Sequence, residues 1–137
     1  MSPSSRPAGY KPLVLVADDF ADAREMYSEF LEFAGFRVVQ AQTGAEALDA
    51  ARATRPDVIL MDVTMPGLDG FTATALLRQE KAFANTPILM LTAHVFTEHE
   101  AQAKAAGCSG FVRKPCLPDD LVREVQRALH RARPPGG

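Results

Sequence analysis

The chain of 137 residues carries a formal net charge of -2, with 47% apolar and 23% charged residues. A chain of that length buries about two-thirds of its unfolded surface in one domain, a core that needs neither disulfide nor metal to form. Interspersed charge of both signs leaves no footprint for direct nucleic-acid or membrane binding, and no apolar run reaches membrane-span length.

In chain order, "MSPSSRPAGY" (1–10) has no apolar segment of the kind a signal peptide needs and reads as a Ser, Pro and Gly rich disordered tail. "LVLVA" (13–17) predicts a first strand, ending at Asp18 and Asp19. Residues 21–34 predict a helix with Met26, Phe30, Leu31 and Phe33 on or near one apolar stripe, closed by a glycine C-cap at Gly35 before Phe36. "FRVVQ" (36–40) is the second predicted strand, and its end, Gln40 and Ala41, offers little chemistry. Thr43 with Glu46 is a capping box opening the helix "EALDAARA".

"VILM" (58–61) predicts a third strand that runs into Asp62, and "PILMLT" (87–92) a fourth ending at Thr92. A second capping box, Thr97 with Glu100, opens "EAQAKAAG". "GFVRK" (110–114) is the fifth predicted strand, ending at Lys114 and Pro115. In the last helix Pro118 suits the first turn, Asp119 and Asp120 face the positive end of the dipole, and Arg127, His130 and Arg131 the negative end. Residues 134–137 read as a second disordered tail, which leaves a domain over 11–133. Cys108 and Cys116 are eight apart with no Cys-x-x-Cys, and read as reduced thiols of a cytoplasmic chain.

Five strands alternating with five helices predict an α/β fold with right-handed crossovers. Three of the runs lack apolar/polar alternation, so the strands are expected to be covered on both faces, as in a parallel sheet. Ligands of such sheets bind beyond the carboxyl ends of the strands. Asp18, Asp19, Asp62, Thr92 and Lys114 are therefore expected at one edge. Two like charges about 4 Å apart repel by roughly 4 kcal/mol at an effective dielectric near 20. Three acids consequently need more positive charge than Lys114 supplies, and a hard divalent ion with oxygen ligands, Mg²⁺ before Ca²⁺ or Zn²⁺, fits the deficit.

"VLVADD", "VILMDVTMPGLDG", "PILMLTA" and "GFVRKP" together resemble the receiver domain of bacterial two-component response regulators, over roughly residues 12–131. The resemblance implies a flavodoxin-like, doubly wound five-stranded parallel sheet of order 2-1-3-4-5 with helices on both faces. It implies a phosphoacceptor signalling domain rather than an enzyme, one that assists its own phosphorylation and dephosphorylation. Asp62 would accept the phosphoryl group from a histidine kinase or a histidine phosphotransfer protein. Asp18, Asp19, Asp62 and the backbone carbonyl of Thr64 would hold Mg²⁺, with Mn²⁺ as a substitute. Lys114 would pair with the carboxylate and then the phosphoryl group, Thr92 would donate its hydroxyl, and the Lys114–Pro115 peptide would be cis.

Phe111 stands three residues before the lysine, where the family often has a tyrosine, and would be the switch aromatic with Thr92. Thr64 and His94, each two residues beyond a site residue, are expected at the mouth of the site, where they would set the lifetime of the Asp62 phosphate. A downstream protein partner is expected on the face of the fourth helix, fifth strand and fifth helix, with the domain a monomer or weak dimer in the cytoplasm. The simple expectation is a single-domain regulator; the alternative is a receiver from a hybrid kinase or a multidomain regulator. A flavodoxin-like FMN carrier fits poorly, because "DDFADARE" after the first strand would repel a phosphate. A haloacid-type phosphatase would need a second aspartate two residues after Asp62, where this chain has Thr64.

Overall fold

Strand β1 (Leu13–Ala17) is followed by helix α1 (Ala21–Phe33), β2 (Arg37–Ala41), α2 (Gly44–Thr54), β3 (Val58–Asp62), α3 (Gly70–Arg78), β4 (Ile88–Thr92), α4 (Thr97–Ala106), β5 (Gly110–Arg113) and α5 (Pro118–Ala132). These elements come from a computed structural model, which describes residues 9–93 and 97–132. The tails at 1–8 and 133–137, His94, and the side chains of the Thr97 and Glu100 capping box lie outside the described residues. The five strands form one parallel sheet of order β2-β1-β3-β4-β5. This is the flavodoxin-like order implied by the resemblance, with the sheet's switch point between β1 and β3.

Successive side chains of a strand point to opposite faces, and here both faces are apolar. Val14, Val16, Val58, Leu60, Leu89 and Leu91 pack with Tyr27 and Leu31 of α1 and Leu121, Val125 and Ala128 of α5. Leu15, Ala17, Ile59, Met61, Ile88 and Met90 face the other way, onto Ala47, Leu48 and Ala51 of α2 and Ala73 and Leu77 of α3. Burial on both faces is the reason these strands read as unbroken apolar runs. Among the described residues no helix is long and apolar enough to cross a membrane.

Helix α1 corrects the predicted stripe. Arg24, Tyr27, Ser28 and Leu31 face inward, at the i, i+3, i+4, i+7 spacing of one helical face. Phe30 is only partly buried, and Met26 and Phe33 are exposed, Phe33 at 96%. The predicted stripe follows the apolar residues, whereas the buried face includes an arginine and a serine whose polar groups are bonded inside. Ser28 Oγ donates to the Arg24 carbonyl at 2.7 Å.

The caps follow the sequence more closely. Gly35 has φ +101°, and the Gly35 and Phe36 amides donate to the carbonyls of Glu32 and Leu31, each at 3.0 Å. That pair of bonds is a Schellman cap, which needs a residue free to adopt positive φ. Phe36 belongs to this cap, so β2 begins one residue later than predicted. At α2 the Glu46 amide donates to Thr43 Oγ1 at 3.1 Å, while the Glu46 carboxylate accepts from the Gln42 amide at 3.2 Å, one residue before the usual capping-box partner.

Candidate functional site

Parallel register brings the acids together. Ala17 of β1 is level with Met61 of β3, so Asp18 and Asp62 are the next residues on adjacent strands. Both follow the parity of Val14, Val16, Val58 and Leu60, which places them toward the α1 and α5 side of the sheet. Asp62 is the last residue of β3, as the sequence predicts, and its neighbour in register is Leu91. Asp18 is fully buried and Asp62 is 8% exposed, while Asp19 is open to solvent. One carboxylate oxygen from each of the three lies within 4.8 Å of the others.

Lys114, just past β5, reaches across the strand between. Its Nζ donates to Asp62 Oδ2 at 3.0 Å and lies 2.7 Å from Asp18 Oδ2. The backbone holds it there, since the Lys114 amide donates to the Thr92 carbonyl at 2.8 Å and the Lys114–Pro115 peptide is cis. Thr92 is buried at the end of β4. Phe111 is half-buried, in register with Met90, and packs on the α2 and α3 side. Thr64 is exposed beyond Asp62 and donates its amide to Asp62 Oδ1 at 3.1 Å.

Electrostatics at Asp62 follow from this crowding. Burial pushes its carboxyl up to about 6; Lys114 opposes the rise and the adjacent Asp18 adds to it. Burial alone would lower the Lys114 ammonium, but the carboxylates of Asp18 and Asp62 outweigh it and hold the group above its ordinary value. Asp18 Oδ2 is buried and faces the Lys114 ammonium, 2.7 Å away as an ion pair. Three carboxylates sharing one ammonium, with hard oxygen donors throughout, suit a divalent cation such as Mg²⁺.

Three contributors were not legible as site residues. Gln40, at the strand end read as offering little, accepts from Arg24 Nε at 2.9 Å, and Arg24 Nη1 donates to the Asp18 carbonyl at 2.9 Å. The end of β2 thus supports the acidic turn after all. Arg24 had a signal, its place one turn before Tyr27 and Ser28 on the helix, but a lone arginine there reads as solvated until packing is known. Gly70 is the third, with a backbone so close to Asp62 that no side chain fits.

Comparison with known proteins agrees with this geometry. Residues 14–126 match the model of the response regulator receiver domain. The chain is 29% identical over 116 residues to the polar-differentiation response regulator DivK of Brucella anthropi, covering 85% of this chain and 94% of that one. It is 35% identical over 118 residues to the DNA-binding response regulator MtrA of Mycobacterium tuberculosis, covering 86% of this chain and 50% of MtrA. The chain thus spans about half the length of MtrA, and 53% of the phosphate regulon regulator PhoB of Pseudomonas aeruginosa. Among solved structures it resembles the chemotaxis response regulator CheY4 of Vibrio cholerae, with TM-score 0.85 and 39% identity over 87% of this chain and 99% of that one. The receiver domain of the sensor histidine kinase PA1611 of Pseudomonas aeruginosa, solved with magnesium in its active-site cleft, aligns at TM-score 0.82 and 29% identity over 88% and 99% of the two chains. The chain belongs to the response regulator receiver domain family of two-component systems.

Proposed function

We propose that Asp62 accepts a phosphoryl group from a phosphohistidine, carried by a histidine kinase or a histidine phosphotransfer protein, in a reaction that requires a divalent cation. The observation that carries this reading is the Asp62 carboxylate itself. It stands at the sheet edge with Lys114 at 3.0 Å and with Asp18 and Asp19 beside it. An Asp62 oxygen attacks phosphorus as the bond to the imidazole nitrogen breaks, and that electron pair returns to the ring. Most of the work is positioning and charge neutralisation.

Each residue has a part in this reading. Asp18, Asp19, Asp62 and the Thr64 carbonyl form the cation site. Mg²⁺, or Mn²⁺ in its place, supplies positive charge for the phosphoryl oxygens when bound. Lys114 holds the Asp62 carboxylate before transfer and a phosphoryl oxygen after it. Thr92 donates its hydroxyl to the phosphoryl group, Phe111 responds to the Thr92 shift, and Thr64 at the mouth limits water access to the acyl phosphate. The magnesium in the PA1611 receiver supports the cation assignment.

Phosphorylation exchanges the single charge of the Asp62 carboxylate for a phosphoryl group of about -2 and adds new acceptor oxygens. It switches the domain to the extent that one conformation binds that charge better than the other. The face of α4, β5 and α5 is the proposed docking surface for a downstream protein. We assign this function to residues 11–133 in the cytoplasm, in keeping with the free thiols of Cys108 and Cys116.

The test is incubation of the full chain with Mg²⁺ and acetyl phosphate, read by intact mass. One phosphate adduct is expected, absent from Asp62→Ala and absent when the metal is chelated. An equal adduct on Asp62→Ala would overturn the assignment of the phosphoacceptor.

A further inference from the structure

We infer that Arg24 and Gln40 form a clamp that positions the Asp18–Asp19 turn for its divalent cation, an inference that rests on the cation reading above. Arg24 is only 8% exposed and, among the described residues, faces no carboxylate as an ion-pair partner. A buried guanidinium without a counterion is expensive and survives where its hydrogen bonds are needed. Two of them are directed at this site, from Nη1 to the Asp18 carbonyl and from Nε to Gln40 Oε1, each 2.9 Å long.

The effect on Asp18 is an accounting of its polar atoms. Its amide donates to the Ala41 carbonyl at 3.1 Å, its carbonyl accepts from Arg24, and its Oδ1 accepts from the Phe20 amide at 2.9 Å. Oδ2 alone takes no bond from the turn, from β2 or from Arg24; it faces the Lys114 ammonium at 2.7 Å. Every other polar atom of the residue is engaged, so the carboxylate is oriented with one oxygen reserved for the site. The Arg24 bond fixes the plane of the Asp18–Asp19 peptide, and through it the exit direction of Asp19.

Gln40 fixes the guanidinium in turn. It lies on β2 in register with Val16, so an edge strand that contributes no ligand is coupled to the acids through Arg24. Outer-shell partners that orient ligands in this way commonly change metal affinity by about 10-fold to 100-fold when removed.

Isothermal titration of the full chain with MgCl₂ tests the clamp, alongside the thermal midpoint of each protein in EDTA. Arg24→Met is expected to raise the Mg²⁺ Kd by about tenfold or more. Gln40→Leu, at an exposed edge position, should raise it by a smaller factor, and Gln40→Glu, which keeps an acceptor for Nε, should bind at least as tightly as wild type. A merely structural role would lower the midpoint in EDTA and leave the Kd of the folded protein unchanged. Wild-type Kd in Gln40→Leu and in folded Arg24→Met would overturn the clamp; should Arg24→Met not fold, an unchanged Gln40→Leu overturns it alone. Failure of the wild-type chain to bind Mg²⁺ would instead remove the cation reading, and the clamp with it.

Discussion

Gly70 lies so close to Asp62 that a Cβ on the glycine would collide with the Asp62 carbonyl oxygen, and would come within 2.8 Å of Met90 Cε. The contact is fixed from both sides. The Gly70 amide donates to the Val63 carbonyl at 2.9 Å, and Asp69 caps the same helix through the Thr72 amide at 2.8 Å. The start of α3 is therefore seated directly on the backbone that carries the proposed phosphoacceptor. Gly70→Ala should force that backbone aside and cost about 1–3 kcal/mol of stability. A shift of about 1 Å at a reacting group can slow a reaction about a hundredfold, so phosphoryl incorporation should fall more steeply than stability. Urea denaturation and the initial rate of adduct formation measure the two effects separately.

Proton binding at Asp62 sets a pH dependence. Burial raises its carboxyl from 3.8 to about 6, so the folded protein holds this proton more tightly than the unfolded chain. The associated stability is present in full below pH 3.8 and is lost as the pH rises through about 6. Above that pH the ionised carboxylate is open to the proposed divalent cation. The Mg²⁺-induced rise in thermal midpoint should accordingly be small at pH 5 and larger at pH 8. A rise of equal size at both values would contradict this linkage.

The inward face of α1 predicts a contrast between neighbours. Leu31 is fully buried and Phe33 is 96% exposed. Leu31→Ala should cost about 2–5 kcal/mol, whereas Phe33→Ala should stay within about 0.5 kcal/mol of wild type. Chemical denaturation of the two variants distinguishes the observed face from the stripe drawn through the apolar residues.

Arg78 ties two connections, α3–β4 and α4–β5, to the end of α3. Its Nε donates to the Gly107 carbonyl at 2.7 Å, its Nη1 to the carbonyls of Phe83 and Thr86 at 2.6 Å, and its Nη2 to Ser109 Oγ at 3.3 Å. Burial lowers the basicity of this guanidinium. Arg78→Met keeps the aliphatic stem but strands those acceptors, and should cost about 2–4 kcal/mol by urea denaturation. The exposed Arg52–Glu80 pair, at 2.8 Å, is the control: Arg52→Ala should leave the urea midpoint close to wild type.

Five apolar runs, the Thr43 and Gly35 caps and the polar residues after each strand determined the strand count, the parallel sheet and the edge on which the acids would meet. They sufficed because strand alternation, capping and the βαβ crossover are local or nearly local in their physics. Packing decided what no local rule reaches. The inward face of α1 turns on Arg24 and Ser28, polar residues that bury only because partners from a neighbouring strand and the helix's own backbone satisfy them. Phe33 is apolar yet 96% exposed. Gln40, through Arg24, and Gly70, by direct approach, act on Asp18 and Asp62 only after the sheet and its helices have assembled. The sequence by itself determined the chemistry gathered at the edge; the tertiary structure decided how each acid is held there, because orientation depends on hydrogen bonds and close contacts between residues distant in the chain.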